Sequence, residues 1–211
     1  MSAMPLVLVP CKSLAYGKSR LAELLDAGER ERLCRELLIN TLRLAADTAG
    51  QENVCLLTAD AEAGRIARDA GIQIFAKDWP DLNTAIAGAR DDIITLSRWQ
   101  SCLVLPIDLP LATKTSLLSI IANGADVTIV PDRGEAGTNI LMLRGKALPE
   151  WRFAYGEASF EAHCREARQR GLSLDIRRVR ELAFDIDEPD DYLEWKKHRE
   201  LPREKAQGDS R

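Results

Sequence analysis

Residues 5–20 read PLVLVPCKSLAYGKSR, a short apolar run, Leu6–Val9, that ends in a loop carrying Lys12, Lys18 and Arg20. A strand covered on both faces reads as a continuous apolar run rather than an alternating one. The same kind of run returns at Val54–Leu57, Ile72–Phe75, Cys102–Leu105, Val127–Val130 and Ile140–Leu143, with a further strand expected at Leu172–Ile176. Between the runs, the spacing predicts helices over residues 28–47, 60–70, 82–97, 113–123 and 157–170. In the first of these, Leu33, Leu37, Leu38, Leu42 and Ala45 form one apolar face, and Asp26 with Glu29 has the form of a capping box. Thr113 suits an N-cap, and Gly71, Gly124 and Gly171 suit helix stops. Strands alternating with crossover helices imply an α/β fold with a mostly parallel central sheet.

Composition bounds what such a fold does. The chain has 211 residues, 45% hydrophobic and 29% charged, with a net charge of −4. That length suits one domain, burying on the order of 70% of its unfolded surface. The acidic balance argues against a general nucleic-acid binder, so no nucleic-acid partner is expected, and any anionic ligand needs a local basic site. The two histidines, His163 and His198, leave little room for His-based nucleophile activation or a His-rich metal site. The five cysteines are odd in number and lack a C-x-x-C pair, which suits a reducing cytoplasm and neither disulfides nor zinc. The first residues lack a basic segment, and their apolar run is too short for a signal or membrane span, so a soluble cytoplasmic protein is expected, with no membrane partner. The domain is placed at residues 1–199, and the polar segment 200–211 is expected to fray.

Open parallel sheets bind ligands beyond the carboxyl ends of their strands, which directs attention to the loops. Residues 1–22 carry Lys12, Lys18 and Arg20 and no acidic side chain. The loop after the first run is thus a cationic patch whose small residues allow close approach to a phosphate; a merely solvated surface loop has the same composition. Gly17-Lys18-Ser19 has the ending of a Walker A motif, with the run ending in Asp108 as its Walker B, but Lys12 stands where that signature needs glycine, a departure that counts against a P-loop. After the fourth run, LPIDLPL holds Asp108 between Pro106 and Pro110, which restricts its backbone and suits a carboxylate aimed at a ligand. A turn or capping role is the alternative, for which Thr113 is better placed.

Near the end of the chain, DIDEPDD packs carboxylates at residues 185, 187, 188, 190 and 191. If residues 183–187 are extended, Asp185 and Asp187 share a face about 6–7 Å apart. Such a pair can flank a divalent cation, which prefers hard oxygen ligands. Pro189 suits a first helical turn, and Asp190 and Asp191 suit its dipole. Two quieter loops remain: residues 131–139, ending in Thr138 and Asn139, and residues 153–160, leading into a helix whose N–H groups could receive an anion. Each alone reads more readily as structural. Together the loops suit a metal-bound polyphosphate and a second anion.

The segments PCKSLAYGKSRLAELL, DLNTAI, LPIDLPL, PDRGEAGTNILML, FAYGEASFEAH and FDIDEPDDY, spread from about residue 5 to 192, together resemble the phospholactate guanylyltransferase family (CofC/FbiD). That family makes the activated precursor of the deazaflavin coenzyme F-420. The resemblance implies a single-domain, Rossmann-like nucleotidyltransferase fold of the GT-A-like kind, using GTP as substrate and Mg²⁺ as cofactor. It implies catalytic roles for Lys12 and Asp108, nucleotide binding by Lys12, Lys18, Arg20 and Asn83, acceptor binding by Thr138, Gly156 and Ser159, and metal binding by Asp108, Asp185 and Asp187. Two positions depart from the family pattern: Asp81 replaces a glycine, and Glu188 replaces a threonine. The implied acceptor is a small phosphorylated carboxylic acid, namely 2-phospholactate, phosphoenolpyruvate or 3-phosphoglycerate. A nucleotidyltransferase for a sugar phosphate or molybdopterin-type acceptor, or a catalytically silent nucleotide-binding protein, would keep the same fold. The number of subunits is open.

Overall fold

Among the described residues, which in this computed structural model are 4–77, 79–95 and 99–200, seven strands form one sheet. They are β1 (Leu6–Pro10), β2 (Val54–Leu57), β3 (Gln73–Phe75), β4 (Ser101–Val104), β5 (Val127–Pro131), β6 (Thr138–Arg144) and β7 (Leu174–Ile176), in the order β3-β2-β1-β4-β6-β5-β7. All neighbouring pairs are parallel except the two made by β6, which runs antiparallel to β4 and β5. The cause is connection length. A parallel partner needs a crossover of a dozen or more residues, and only the short turn 132–137 separates β5 from β6. The reversal has a functional consequence, because it sets the start of β6 beside the carboxyl end of β4, with Val104 opposite Leu141.

The helices are α1 (Ala27–Ala49), α2 (Ala61–Asp69), α3 (Leu82–Thr95), α4 (Lys114–Ile121), α5 (Ser159–Gln169), α6 (Arg180–Ala183) and α7 (Pro189–Glu200). Alternate residues of β1 bury on opposite faces. Val7 and Val9 join Leu38 and Leu42 of α1 and Leu117 and Ile120 of α4, while Leu6 and Leu8 join Ile86 of α3, Ala167 of α5 and Trp151. The result is a three-layer α/β domain, and continuous apolar strands are what two covered faces require. All five cysteines are free and buried, as small core residues.

Local signals hold closely. The Asp26 side chain accepts from Glu29 N–H at 2.8 Å and the Glu29 carboxylate accepts from Asp26 N–H at 2.9 Å, closing the capping box of α1. Thr113 caps α4, and Gly71 and Gly171 end α2 and α5 at φ +66° and +62°; Gly124 has no positive φ. Where the residues differ from expectation, the differences are small. β3 and β7 are shorter by one and two residues, α3 ends at Thr95, and residues 96 and 97 lie outside the described residues. Residue 183 closes α6 instead of continuing an extended run. Glu200 completes α7, and residues 201–211 lie outside the described residues. Among the described residues no helix is long and apolar enough to cross a membrane.

Candidate active site

Three cavities adjoin at Pro10, the last residue of β1, at the edge where the parallel strands end. The first, about 90 Å³, lies over β2 and the start of α3, between Leu57, Thr58, Trp79, Leu82 and Ala85. The second, about 320 Å³, is walled by the basic loop from Lys12 to Arg20. The third, about 210 Å³, is walled by Thr138, Asn139, Tyr155, Ser159 and Asp185. Lys12 lines both the first and the second, and Asp108 and Asp187 line both the second and the third. Residues spread over the whole chain therefore meet at one junction.

The basic loop enters this junction through a left-handed residue. Lys18 has φ 53° and ψ 41° at the start of a short 3₁₀ turn, Ser19–Glu23. That conformation costs a residue with a Cβ roughly 1–2 kcal/mol. The Lys18 ammonium lies 2.9 Å from Asp108 Oδ2 and 2.9 Å from Asp187 Oδ1. Burial opposes its charge, but the two carboxylates outweigh burial and hold Lys18 protonated above its ordinary range. Arg20, largely exposed, reaches Glu188 Oε1 at 3.0 Å and Asp187 Oδ2 at 3.9 Å. Glu188 thus anchors Arg20.

Segment 184–188 is fixed from three sides. Ile186 is fully buried and its N–H donates to Asp108 O at 3.0 Å, which ties it to the loop after β4. Asn139 donates to Leu182 O at 3.0 Å and to Asp185 Oδ1 at 3.5 Å. Asp191, beyond complementing the helix dipole, accepts from the N–H groups of Asp187 at 3.1 Å and Glu188 at 2.8 Å. Arg133 binds Asp191 and Glu194 and lies over the Phe184 ring, joining the 132–137 turn to α7. Burial, followed by the charges of Asp108 and Asp187, pushes the Asp185 carboxyl up to about 6.

On the far side, the residues are short and mostly buried. Thr138 N–H donates to Ser159 Oγ at 2.9 Å, and Thr138 Oγ1 lies 3.0 Å from His163 Nδ1. His163 Nε2 accepts from Ala154 N–H at 3.0 Å. Burial lowers the His163 pKa to about 4. Gly156 has φ 133°, open to glycine and strained for other residues, and its carbonyl accepts from Ser159 N–H. Asn83, at the start of α3, grips the Tyr155 backbone from both amide ends, accepting from its N–H at 2.6 Å and donating to its carbonyl at 3.0 Å. Asp81 accepts from Thr84 N–H and hydroxyl and so caps the first turn of α3.

Of the residues singled out from sequence, Lys12, Lys18, Arg20, Asp108 and Asp187 line the second cavity, and Asp108, Asp185, Asp187, Thr138 and Ser159 the third. Asn83 and Gly156 flank the third through the Tyr155 loop. Asn139, Arg133 and His163 complete the site. Asn139 stands beside Thr138 at a strand start, a visible signal; Arg133 and His163 lie inside the quoted segments PDRGEAGTNILML and FAYGEASFEAH, but their pairing with Asp191 and with Thr138 spans too much sequence to be read from either segment. Among the described residues no three ligating side chains already converge as a metal cage. The donor set nevertheless fits a hard divalent cation. It is all carboxylate oxygen, Asp185 is raised by burial first and then by the charges of Asp108 and Asp187, and a lysine ammonium already sits between Asp108 and Asp187.

This fold, with a basic cavity and an acidic junction at its strand ends, is that of a nucleotidyltransferase. A nucleotidyl transferase structure from Methanothermobacter thermautotrophicus superposes with a TM-score of 0.62 at 15% identity, covering 93% of this chain and 98% of that one. The family described as "Guanylyl transferase CofC like" matches residues 5–205, and the chain belongs to it. Among its relatives, a phosphoenolpyruvate guanylyltransferase from Roseiflexus castenholzii is 35% identical over 188 residues, covering 89% of this chain and 85% of the relative. A 2-phospho-L-lactate guanylyltransferase from Methanothermobacter thermautotrophicus is 30% identical over 187 residues, covering 87% and 80%.

Proposed function

We propose that this protein transfers GMP from GTP to the phosphate of a small phosphorylated carboxylic acid, releasing pyrophosphate, in the cytoplasmic assembly of coenzyme F-420. The observation that carries this reading is the shared wall: Asp108 and Asp187 stand between a cationic cavity and a cavity whose lining includes the Thr138 and Ser159 hydroxyls beside the Asp132 and Asp185 carboxylates. A bond made between two anionic substrates needs such a junction. The triphosphate lies along Lys12, Lys18 and Arg20, with the nucleoside end in the adjoining apolar cavity by Leu57 and Trp79. The acid lies against Thr138, Gly156 and Ser159. Asn83 acts from the Tyr155 backbone, shaping the loop that ends at Gly156.

An oxygen of the acid's phosphate attacks the α-phosphorus of GTP in line, and the bond from that phosphorus to the bridging oxygen of pyrophosphate breaks. The attacking oxygen is already ionised near neutral pH, so no protein base is required. The chain's task is to position two anions and offset their charge. Lys12 and Lys18 offset phosphate charge, and Asp108, Asp185 and Asp187 would hold Mg²⁺. Bound there, the metal supplies further neutralisation of phosphate oxygens.

The test is a panel in which each nucleoside triphosphate is combined with Mg²⁺ and phosphoenolpyruvate, 2-phospholactate, 3-phosphoglycerate or a sugar phosphate. Pyrophosphate and product mass are both read. Product from GTP and one phospho-acid is expected. Turnover with the sugar phosphate alone, or with no acceptor, overturns the proposal.

A further inference from the structure

His163 takes no part in the chemistry above, yet it is fully buried directly behind the acceptor cavity. Its ring is held between two partners whose chemistry differs. The Ala154 amide N–H can only donate, and it points at Nε2 from 3.0 Å. Nε2 must therefore present a lone pair, and a neutral imidazole with a bare Nε2 carries its proton on Nδ1. That Nδ1–H faces Thr138 Oγ1 at 3.0 Å, so the histidine donates and the threonine oxygen accepts. The rings against His163 are Trp151, at 6.1 Å between centroids, and Tyr155, edge-on at 4.9 Å. Tyr155 is the titratable group among them, and burial holds its hydroxyl protonated. Burial likewise disfavours the imidazolium.

Two hydroxyls follow the same logic. Thr138 Oγ1 accepts from His163, and Ser159 Oγ accepts from Thr138 N–H. Each oxygen is engaged as an acceptor by the protein, which leaves its own O–H proton to be given away. Both residues line the third cavity. With the opposite tautomer, Thr138 would spend its proton on Nδ1 and turn a lone pair toward the ligand, repelling an anion.

We infer that His163 is a positioning residue that fixes the Thr138 hydroxyl as a donor, so that with Ser159 it forms a two-hydroxyl clamp for an anionic oxygen of the acceptor. The inference rests on the guanylyl-transfer reading for the identity of the acceptor, but not for the wiring of the hydrogen bonds.

Nitrogen-15 NMR of histidine-labelled protein reads the wiring without any substrate. One imidazole protonated on Nδ1 and bare on Nε2 at neutral pH is expected; an imidazolium or the opposite tautomer for His163 overturns the inference. Kinetics with the acid that supports turnover reads the role. His163→Leu should raise the KM for the acid about tenfold, as loss of an oriented donor to a charged group does, and leave the KM for GTP unchanged. His163→Gln, whose amide can accept from Ala154 and donate to Thr138, should restore most of the loss. In a Thr138→Val background, His163→Leu should add nothing further to the acid's KM. Equal effects on both substrates, or additive effects with Thr138→Val, overturn the positioning role while leaving guanylyl transfer standing. If no acid in the panel is turned over, the acceptor role falls with the proposed function. If His163→Leu fails to fold, the tautomer measurement and the glutamine variant still decide the matter.

Discussion

On one side of Asp108, the wall from Lys12 to Arg20 works with long charged side chains carried on a loop; on the other, Thr138 and Ser159 work with short hydroxyls held by buried neutral bonds. Charge attracts over a distance and tolerates imprecise placement, but salt screens it. A short hydroxyl acts only where it is placed, and its placement depends on the protonation state of what holds it. The first wall therefore suits a flexible triphosphate, and the second suits the discrimination of a small acid. The two should fail in different ways.

The largest effect is expected at the shared junction. Asp108→Asn or Asp185→Asn should lower turnover at least about a hundredfold, roughly 2.7 kcal/mol, with the circular dichroism spectrum unchanged. Near-wild-type turnover in both variants would remove the metal assignment, and the comparison would lose its hinge.

The next prediction probes the far wall by pH. His163 has a folded pKa of about 4 against an ordinary 6.5, so the unfolded chain binds the extra proton. Its contribution to stability is complete above about pH 6.5 and is lost as pH falls toward 4. Between pH 7.5 and 5 that loss amounts to about 2 kcal/mol. Asp185 acts in the other direction, since its folded pKa of about 6 lies above the ordinary 3.8 and the strain it imposes is relieved on acidification. Urea unfolding of wild type and His163→Gln at both pH values isolates the histidine. A variant that keeps the wild-type pH slope would show that the far wall is not protonation-sensitive.

Lys18→Met tests the near wall. Removing the ammonium takes away the cation between Asp108 and Asp187 and leaves them, among the described residues, only Arg20, 3.9 Å from Asp187. A fall of about tenfold in kcat/KM for GTP is expected, or about 1.4 kcal/mol. The KM for the acid should stay within about twofold. A matching rise for the acid would mean that the two walls do not act separately. The smallest effect is expected at Arg133→Ala, which frees Asp191 from its partner on the 132–137 turn. The pair is partly exposed, so a stability loss under about 1 kcal/mol is expected in thermal unfolding, diminishing with added salt. A loss several times larger would make the turn and α7 one cooperative unit.

Much of the near wall is legible in the sequence because its signals are local. An apolar run gives β1, the clustered Lys12, Lys18 and Arg20 follow it directly, and Asp108 stands between two prolines. The alternation of Asp185, Ile186 and Asp187 also reads correctly, with Ile186 buried, although α6 takes residue 183. The reversal of β6 is implicit in the short turn before it. The far wall is harder to read. His163 looks like one more polar residue on a helix, and its partners at Thr138 and Ala154 come from a strand and a loop. Lys18 similarly lies 90 residues from Asp108 and 169 from Asp187. Such pairings are set by sheet order, and sheet order leaves little trace in any single segment.

The buried thiols give the chain a reporter of its own opening. Burial pushes Cys55 and Cys102 up to about 12, and burial with nearby Asp60 and Cys34 does the same for Cys11; Cys34 and Cys164 are raised as well. The reactive form of a cysteine is the thiolate, so the folded protein offers an alkylating reagent almost nothing to attack at neutral pH. The five sulfurs are spread through α1, β2, β4, α5 and the start of the basic loop. The order in which they become labelled would trace which layer of the domain loosens first.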